Sequence, residues 1–376
     1  MGLFDKLFKA KTETKAISTY SNEVMEAMIN NGFTYNGNYT DNKLINEGYS
    51  SNADVYAIIK KVSETAANIP LIVESKTSDG WEIDETSLLN DLLNKPNDTL
   101  TGTEFRYNNG VYLLNTGDNF WKKTQDAAFG LVTELNILEP NLTELLLNTV
   151  NEVMGYEYHK NGSQSFNYTL EEVIHSMYLN PSVLGNGLTS NRGLSPLQSG
   201  YNILSSSNNR AVATGNMIEN GGAYGILSSG SDILVTPDEA DRIQKQVNNR
   251  KAGAKGFGSI MTSMDNFKFT NIGMDATQLK MIEGGLVDLR TLCNLFGVDS
   301  TMFNDKESST LDNVKVANKK LYTDAAIPLN AKYILPYEKD IIPTYNQYEN
   351  KELRIVQDLS NIDALPTTSL PSKWRS

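Results

Sequence analysis

His159 and His175 are the only histidines of this sequence and Cys293 is its only cysteine. A histidine-based metal site, or a nucleophile paired with an imidazole base, therefore has almost no material to draw on. There is no H-E-x-x-H, no G-x-S-x-G elbow and no pair of C-x-x-C units. The nearest approach to a phosphate loop is Gly253-Ala254-Lys255-Gly256-Phe257-Gly258. It lacks the G-K-[ST] ending and does not fit G-x-G-x-x-G, so it reads as a turn between a helix and a strand. His175 sits in the strand-like run Val173-Ile174-His175 and is read as a structural histidine with its polar atoms satisfied. Cys293 lies on an apolar helical stripe and is read as a small buried hydrophobe. Carboxylates are so numerous (45 Asp and Glu) that any chosen pair says little about acid–base catalysis. The sequence thus predicts no enzyme, no cofactor and no metal.

One charge feature stands apart. Arg242, Lys245, Arg250, Lys251 and Lys255 follow one another with no intervening acid, in a chain of net charge −12. Two readings stay open. Asp238, Glu239 and Asp241 precede the bases on the same predicted helix, which would complement its dipole; alternatively the bases form a docking patch for a partner. The overall acidity, with a pI near 4.8, leaves no global positive field to hold nucleic acid by counterion release, so any contact with DNA must be local or loose.

The elements that must carry these residues can be traced from periodicity. Composition (39% hydrophobic, 21% charged) is that of a globular chain with room for two or three domains. A lone cysteine and the absence of an 18-residue apolar run favour synthesis in a reducing cytoplasm. The opening Met1-Gly2-Leu3-Phe4-Asp5-Lys6-Leu7-Phe8-Lys9 is too short for stable membrane anchoring and too interrupted for a signal peptide, and Lys6 stands where myristoylation wants Ser or Thr; it reads as a turn or two docking on protein. Val55, Ile58, Ile59, Val62, Ala66 and Ile69 predict a helix stopped by Pro70, followed by a hairpin of Leu71–Val73 and Trp81–Ile83 across Ser78-Asp79-Gly80. Further helices are predicted over Leu88–Leu93 and from Thr101 onward. A second hairpin sets Tyr156 and Tyr158 against Phe166 and Tyr168 across Asn161-Gly162.

After Gly193 the character changes. Ser195 as N-cap, Pro196 at the first helical position and Gln198 completing a capping box predict a long helix to about Asn220. Its middle, Ser205 to Arg210, is polar enough to line a wet surface. Residues 223 to 273 read as a small αβ insert, with strands near 224–227, 259–264 and 267–272 and a helix after Thr236-Pro237. A second long helix opens at Asp275, carries Leu279, Ile282, Leu286, Leu289, Cys293 and Phe296 on one stripe, and ends at Gly297. Gly284 and Gly285 interrupt it at a cost of roughly 1 kcal/mol each against alanine, so a kink or close backbone packing must compensate. Val298 to Leu311 is a polar loop. A third helix then packs Val314, Ala317 and Leu321 and bends at Pro328, and one more strand is predicted around Leu353 to Val356.

Helix, αβ insert, helix, loop, helix is the order of stem, clip, stem, tunnel loop and tunnel helix in bacteriophage portal proteins. Short segments agree with that order. Val55-Tyr56-Ala57-Ile58-Ile59 with Ile69-Pro70-Leu71, Leu92-Leu93-Asn94-Lys95-Pro96-Asn97 with Thr103-Glu104-Phe105-Arg106, Gly117-Asp118-Asn119-Phe120, Glu172-Val173-Ile174-His175, Gly193-Leu194-Ser195-Pro196-Leu197 and Leu295-Phe296-Gly297-Val298 all resemble the portal family of long-tailed double-stranded DNA phages. The opening Met1-Gly2-Leu3-Phe4-Asp5 is also common there.

The resemblance implies an α+β portal fold: an αβ wing (1–194), a two-helix stem (195–221 and 274–297), a clip (222–273), a tunnel loop (298–311), a kinked tunnel helix returning to the wing (312–342), and a C-terminal wing strand and tail (343–376), with the crown reduced or absent. It implies a dodecameric ring at one capsid vertex, in contact with the major capsid protein and traversed by double-stranded DNA without sequence specificity. The terminase large subunit and later a head-tail connector would dock on it. Assembly would take place in the bacterial cytoplasm and the product would reside in the virion. On this reading Asp299, Ser300, Thr301, Asn304, Asp305, Lys306, Glu307 and Ser308 face DNA from the tunnel loop, where three acids against one lysine leave a net −2 and a wall along which a polyanion can slide. Arg242, Lys245, Arg250, Lys251 and Lys255 would be the partner-docking patch of the clip. The competing readings are another head-tail adaptor or minor capsid protein, and a phage nuclease.

Overall fold

The computed structural model describes residues 41–364 apart from 148–150, 161–163, 183–189, 220–224, 230–235, 239–240, 243–244, 246–266, 272–276, 304, 306–310, 361 and 363. The chain divides into two compact units, one made of Met1–Tyr201 with Arg290–Ser376 and the other of Asn202–Leu289.

The described part of the first unit opens on a short helix α1 (Asp41–Leu44) and a π turn. Helix α2 (Ala53–Ala67) starts where the Asn52 side chain accepts from the backbone N–H groups of Asp54 and Val55, and it buries Val55, Ile58, Ile59, Val62 and Ala66 as its periodicity predicts. Pro70 follows, and the chain turns into β1 (Leu71–Thr77) and β2 (Gly80–Ile83). This is the expected hairpin, closed with Thr77 opposite Gly80, whose φ of 129° needs a glycine. Helix α3 (Leu89–Asn94) and helix α4 (Gly102–Thr116) come next, α4 opening on a capping box between Thr101 and Glu104.

Strands β3 (Asp118–Gln125), β4 (Val132–Leu138) and β8 (Val173–Met177) form one antiparallel sheet in the order β4-β3-β8, while β5 (Thr143–Leu147), β6 (Val153–Lys160) and β7 (Gln164–Tyr168) form another. In the second, Tyr156 stands opposite Tyr168 and Tyr158 opposite Phe166, the register predicted for the second hairpin; its Asn161-Gly162 turn lies outside the described residues.

The first unit is closed by residues from far along the chain. Helix α9 (Ile327–Asp340), helix α10 (Ile342–Glu349) and strand β11 (Leu353–Gln357) return to it, and β11 pairs antiparallel with β1 from Leu71↔Gln357 to Ser75↔Leu353. The resulting core joins Leu89, Phe105, Trp121 and Leu135 from the N-terminal half to Tyr337, Ile342, Tyr345 and Ile355 from the C-terminal half. Trp121 is its centre. The indole is buried between the Phe105 and Tyr337 rings at 5.1 and 5.3 Å, and its Nε1–H donates to Asn109 Oδ1 at 2.6 Å, so burial leaves no polar atom of the ring unsatisfied.

The long helix expected from Pro196 is two helices. α5 (Pro196–Ser199) and α6 (Tyr201–Glu219) are separated by Gly200. Ser195 caps the first as expected, its Oγ accepting from Gln198 N–H at 2.8 Å. Gly200 sits against Leu295, whose Cδ1 would lie 2.0 Å from any Cβ built there; a residue without a Cβ lets the two approach at the break. Helix α7 (Thr277–Leu295) is the second long helix, and Leu289, Cys293 and Phe296 are buried as the stripe predicts.

In the second unit β9 (Gly225–Ser229) and β10 (Phe267–Asn271) pair antiparallel. The strand expected at 259–264 lies outside the described residues. Finally, α8 (Leu311–Lys320) runs through a π-helical stretch, Leu321–Ala326, into α9. Pro328 has no N–H to offer the carbonyl of Asp324, four residues back, and the helix widens just before it. Val314, expected to pack, is 42% exposed, whereas Ala317 and Leu321 are buried. No helix among the described residues is long and apolar enough to cross a membrane.

Candidate functional site

The segment between α7 and α8 is organised from its N-terminal side. Gly297 adopts φ 69°, and Val298 N–H returns to the Cys293 carbonyl at 3.0 Å, ending α7 in a left-handed cap. Asp299 then accepts from Thr301 N–H (3.1 Å) and Thr301 Oγ1 (2.7 Å), which starts the 3₁₀ turn Ser300–Phe303. Asp305 is fully buried. Its Oδ2 accepts from Arg290 Nε at 2.7 Å and from Ser300 Oγ at 2.8 Å, and its Oδ1 accepts from Arg290 Nη2 at 2.9 Å. A two-pronged arginine contact of this kind is the strong form of a charge-assisted hydrogen bond.

This corrects the sequence expectation for Asp305: it is held inward by a helix arginine and presents no charge to solvent. Asn304, Lys306, Glu307 and Ser308 lie outside the described residues. Beneath the segment is an open pocket of about 400 Å³, lined by Arg290, Asn294, Asp299, Ser300, Lys320 and Asp324 among others. Lys320 Nζ is 3.9 Å from Asp299 Oδ2. The lining carries two cations and two carboxylates and so has no net preference for either sign.

In the second unit, the polar middle of α6 is half-buried rather than openly wet. Arg210 lies along α7, its Nε donating to Asp288 Oδ2 at 3.0 Å, and a Cβ at Gly284 would meet Arg210 Nη1 at 2.1 Å. The costly glycine in α7 is therefore the seat of a guanidinium, the close packing that the sequence demanded. In the insert, Pro237, Asp238, Asp241, Arg242 and Lys245 are helical, and Arg242 and Lys245 are exposed. Arg250, Lys251 and Lys255 lie outside the described residues, as does the glycine run Gly253–Gly258.

The two residues with the most reactive side chains are structural. His175 Nε2 bonds to Asp118 Oδ1 at 2.8 Å while its ring stacks on Phe120, centroids 4.3 Å apart. Asp118 also accepts from Gly193 N–H at 2.9 Å and lies 3.4 Å from Arg192 Nε, and Arg192 in turn holds Asp41. Burial pushes the Asp41 carboxyl up to about 6, against the opposing pull of Arg192. Cys293 is 1% exposed, and burial pushes its thiol up to about 12, far from the thiolate that reactivity requires. Among the described residues the one grouping able to gather metal ligands is Glu144, Glu157 and His159 on the β5–β6 pair. There His159 Nε2 lies 3.6 Å from Glu144 Oε1, the spacing of an ion pair on an outer face.

Sequence reasoning passed over Arg290, Arg210 and the bases of α8. The glycine pair was the available signal for Arg210; for Arg290, fifteen residues before Asp305, the sequence offered none.

The profile of the family described as phage portal protein matches residues 53–368. The chain belongs to the phage portal protein family. Portal proteins are structural: the chain is a subunit of the portal ring used for DNA packaging, at the head-tail connection of the virion. No curated protein matches it in sequence. The portal fold is shared with solved structures of low identity. A chain of the virion of a native gene transfer agent particle is 19% identical, with a TM-score of 0.62 over 89% of this chain and 88% of that one. A chain of the neck of the native particle, computed with C12 symmetry, is 18% identical, with a TM-score of 0.61 over 88% and 86%. An HK97-family phage portal protein from Corynebacterium diphtheriae is 16% identical, with a TM-score of 0.58 over 87% of this chain and 97% of that one. The α+β architecture expected from the sequence is the one these chains share.

Proposed function

We propose that twelve copies of this chain form a ring at one capsid vertex, seated in the major capsid protein, through which double-stranded DNA is packaged and later ejected without sequence recognition. Residues 1–194 with 343–376 form the wing, 195–221 and 274–297 the stem, 222–273 the clip, and 298–311 with the helix after it the tunnel. The clip receives the terminase large subunit during packaging and a head-tail connector afterwards, oriented by the bases from Arg242 to Lys255 on an otherwise acidic ring. The ring assembles in the cytoplasm of the host bacterium and carries no catalytic centre of its own.

The observation that carries this reading is the family match over residues 53–368, which spans the whole order of long helix, insert, long helix, polar segment and helix. Twelvefold symmetry is suggested by the C12 neck of the gene transfer agent particle. Electron microscopy of the purified full chain in negative stain tests it: rings with a central pore are expected, and a compact monomer at every salt concentration would overturn the reading.

A further inference from the structure

Helix α8 touches its own chain along one line. Of residues 312–320 only Ala317 is buried; every other one is exposed. At 100° per residue, Lys315 and Lys319 each stand about 160° from Ala317, so both point directly away from the body that carries the helix. Val314 (42% exposed) and Val316 (53% exposed) fall on opposite flanks between those two poles, again about 160° apart. The helix therefore has an inner line, a valine on each flank, and a front on which Lys315 and Lys319 outnumber Asp312.

The basic front is not explained by its local surroundings. Residues three and four positions away from Lys319 are Lys315, Val316, Tyr322 and Thr323, with no acid among them, and the two lysines repel each other one turn apart. Asp312 is three positions from Lys315, yet no ion pair with either lysine forms among the described residues. Helix-dipole complementarity does not apply either, because the backbone stays helical through Leu321–Ala326 into α9 and no C-terminus lies near Lys319. Of the acids in the preceding segment, the two among the described residues are already engaged: Asp305 is clamped by Arg290, and Asp299 caps the 3₁₀ turn beside Lys320.

From this arrangement we infer that Lys315 and Lys319 are the side chains that meet the phosphates of DNA in the channel, and that Val314 and Val316 pack against the α8 helices of the two neighbouring copies. The inference rests on the portal-ring reading and deepens it. A helix lining a ring has its back to its own subunit, its flanks to its neighbours and its front to the lumen, and those three surfaces carry Ala317, the valines and the lysines respectively. Two flexible ammonium groups per subunit give weak, sequence-blind and salt-sensitive contacts suited to a polymer that must keep moving. The wall is then locally basic, where the loop's composition alone predicted an acidic one.

The test uses rings of the full chain and a blunt duplex, with affinity measured by fluorescence anisotropy across a salt series. For Lys315→Gln/Lys319→Gln, affinity should fall at least tenfold at about 50 mM salt and the salt dependence should flatten, since the slope shrinks by about 0.9 for every phosphate that is no longer neutralised. Lys61→Gln/Lys339→Gln removes the same charge from exposed sites on α2 and α9 and should change affinity less than twofold. On the unmodified protein, bound duplex should protect Lys315 and Lys319, but not Lys61, from acetylation read by mass spectrometry. Wild-type rings that bind no duplex, equal loss in the two double variants, or acetylation of Lys315 and Lys319 unaffected by duplex would overturn the assignment. Failure of the wild type to form rings would instead strike the portal-ring reading beneath it.

Discussion

Gly284 and Gly285 are adjacent in one helix, and alanine at each should act in opposite directions. In a helix interior, Gly→Ala ordinarily stabilises by about 1 kcal/mol, because alanine has less backbone freedom to lose. At Gly285 nothing opposes this, the nearest atom to a new Cβ being Arg210 Cδ at 4.0 Å. At Gly284 the new Cβ would lie 2.1 Å from Arg210 Nη1 and 2.5 Å from Cζ, so the guanidinium has to shift. The shift loosens its hold on Asp288, whose side chain is 8% exposed and which accepts from Arg210 Nε at 3.0 Å. Complete loss of a buried pair costs about 3–5 kcal/mol; set against the propensity gain, Gly284→Ala should destabilise by at most about 2–4 kcal/mol. Urea denaturation of the two single variants measures the contrast. The Arg210→Ala background sharpens it: with the guanidinium gone, Gly284→Ala should become stabilising by about 1 kcal/mol, a change of sign diagnostic of direct coupling. If Gly284→Ala stabilises the wild type as much as Gly285→Ala does, or still destabilises when Arg210 is absent, the guanidinium is not what the glycine accommodates.

Arg290 and Asp305 should be unequal partners. Arg290→Ala takes the two-pronged arginine contact from a fully buried carboxylate, whereas Asp305→Ala leaves an arginine that is 37% exposed and can reach water, so the first should lower the thermal midpoint more than the second; equal losses would count against the buried-acid argument. The Asp84 carboxyl is held well below the usual carboxylate range by Lys351 and Thr86. A depressed carboxyl adds stability that is present above its unfolded pKa and disappears as pH falls through the folded one. Asp84→Asn should therefore flatten the loss of stability on acidification below about pH 4, and an unchanged pH–stability profile would show that Asp84 titrates alike in both states.

Local signals in the sequence led to the right elements wherever the cause was local. The Tyr156–Tyr168 and Tyr158–Phe166 register followed from alternation around Asn-Gly, and α2 followed from its apolar spacing and Pro70. The break at Gly200 was passed over although glycine weakens a helix locally, and the residue it packs against, Leu295, lies 95 positions later. Asp305 escaped for a similar reason. Nothing within a helical turn of it reveals that Arg290 will fold back to bind it, and a charge tally along a loop cannot distinguish an acid facing water from one facing an arginine. The glycine pair announced that something must lie close to α7, without naming Arg210.

Strand β1 waits for β11. Leu71 pairs with Gln357, 286 positions further on, and Tyr337, Ile342, Tyr345 and Ile355 enter the same core as Trp121. At 5–20 residues per second, a ribosome delivers that strand roughly 15–60 s after its partner. Through that interval the nascent chain exposes an unpaired strand edge and an open apolar face while the long excursion between them is still being made. A chain cut short before Leu353 lacks the strand that covers β1, and with it Leu353 and Ile355 of the core, so the last residues to be made complete the sheet of the first unit.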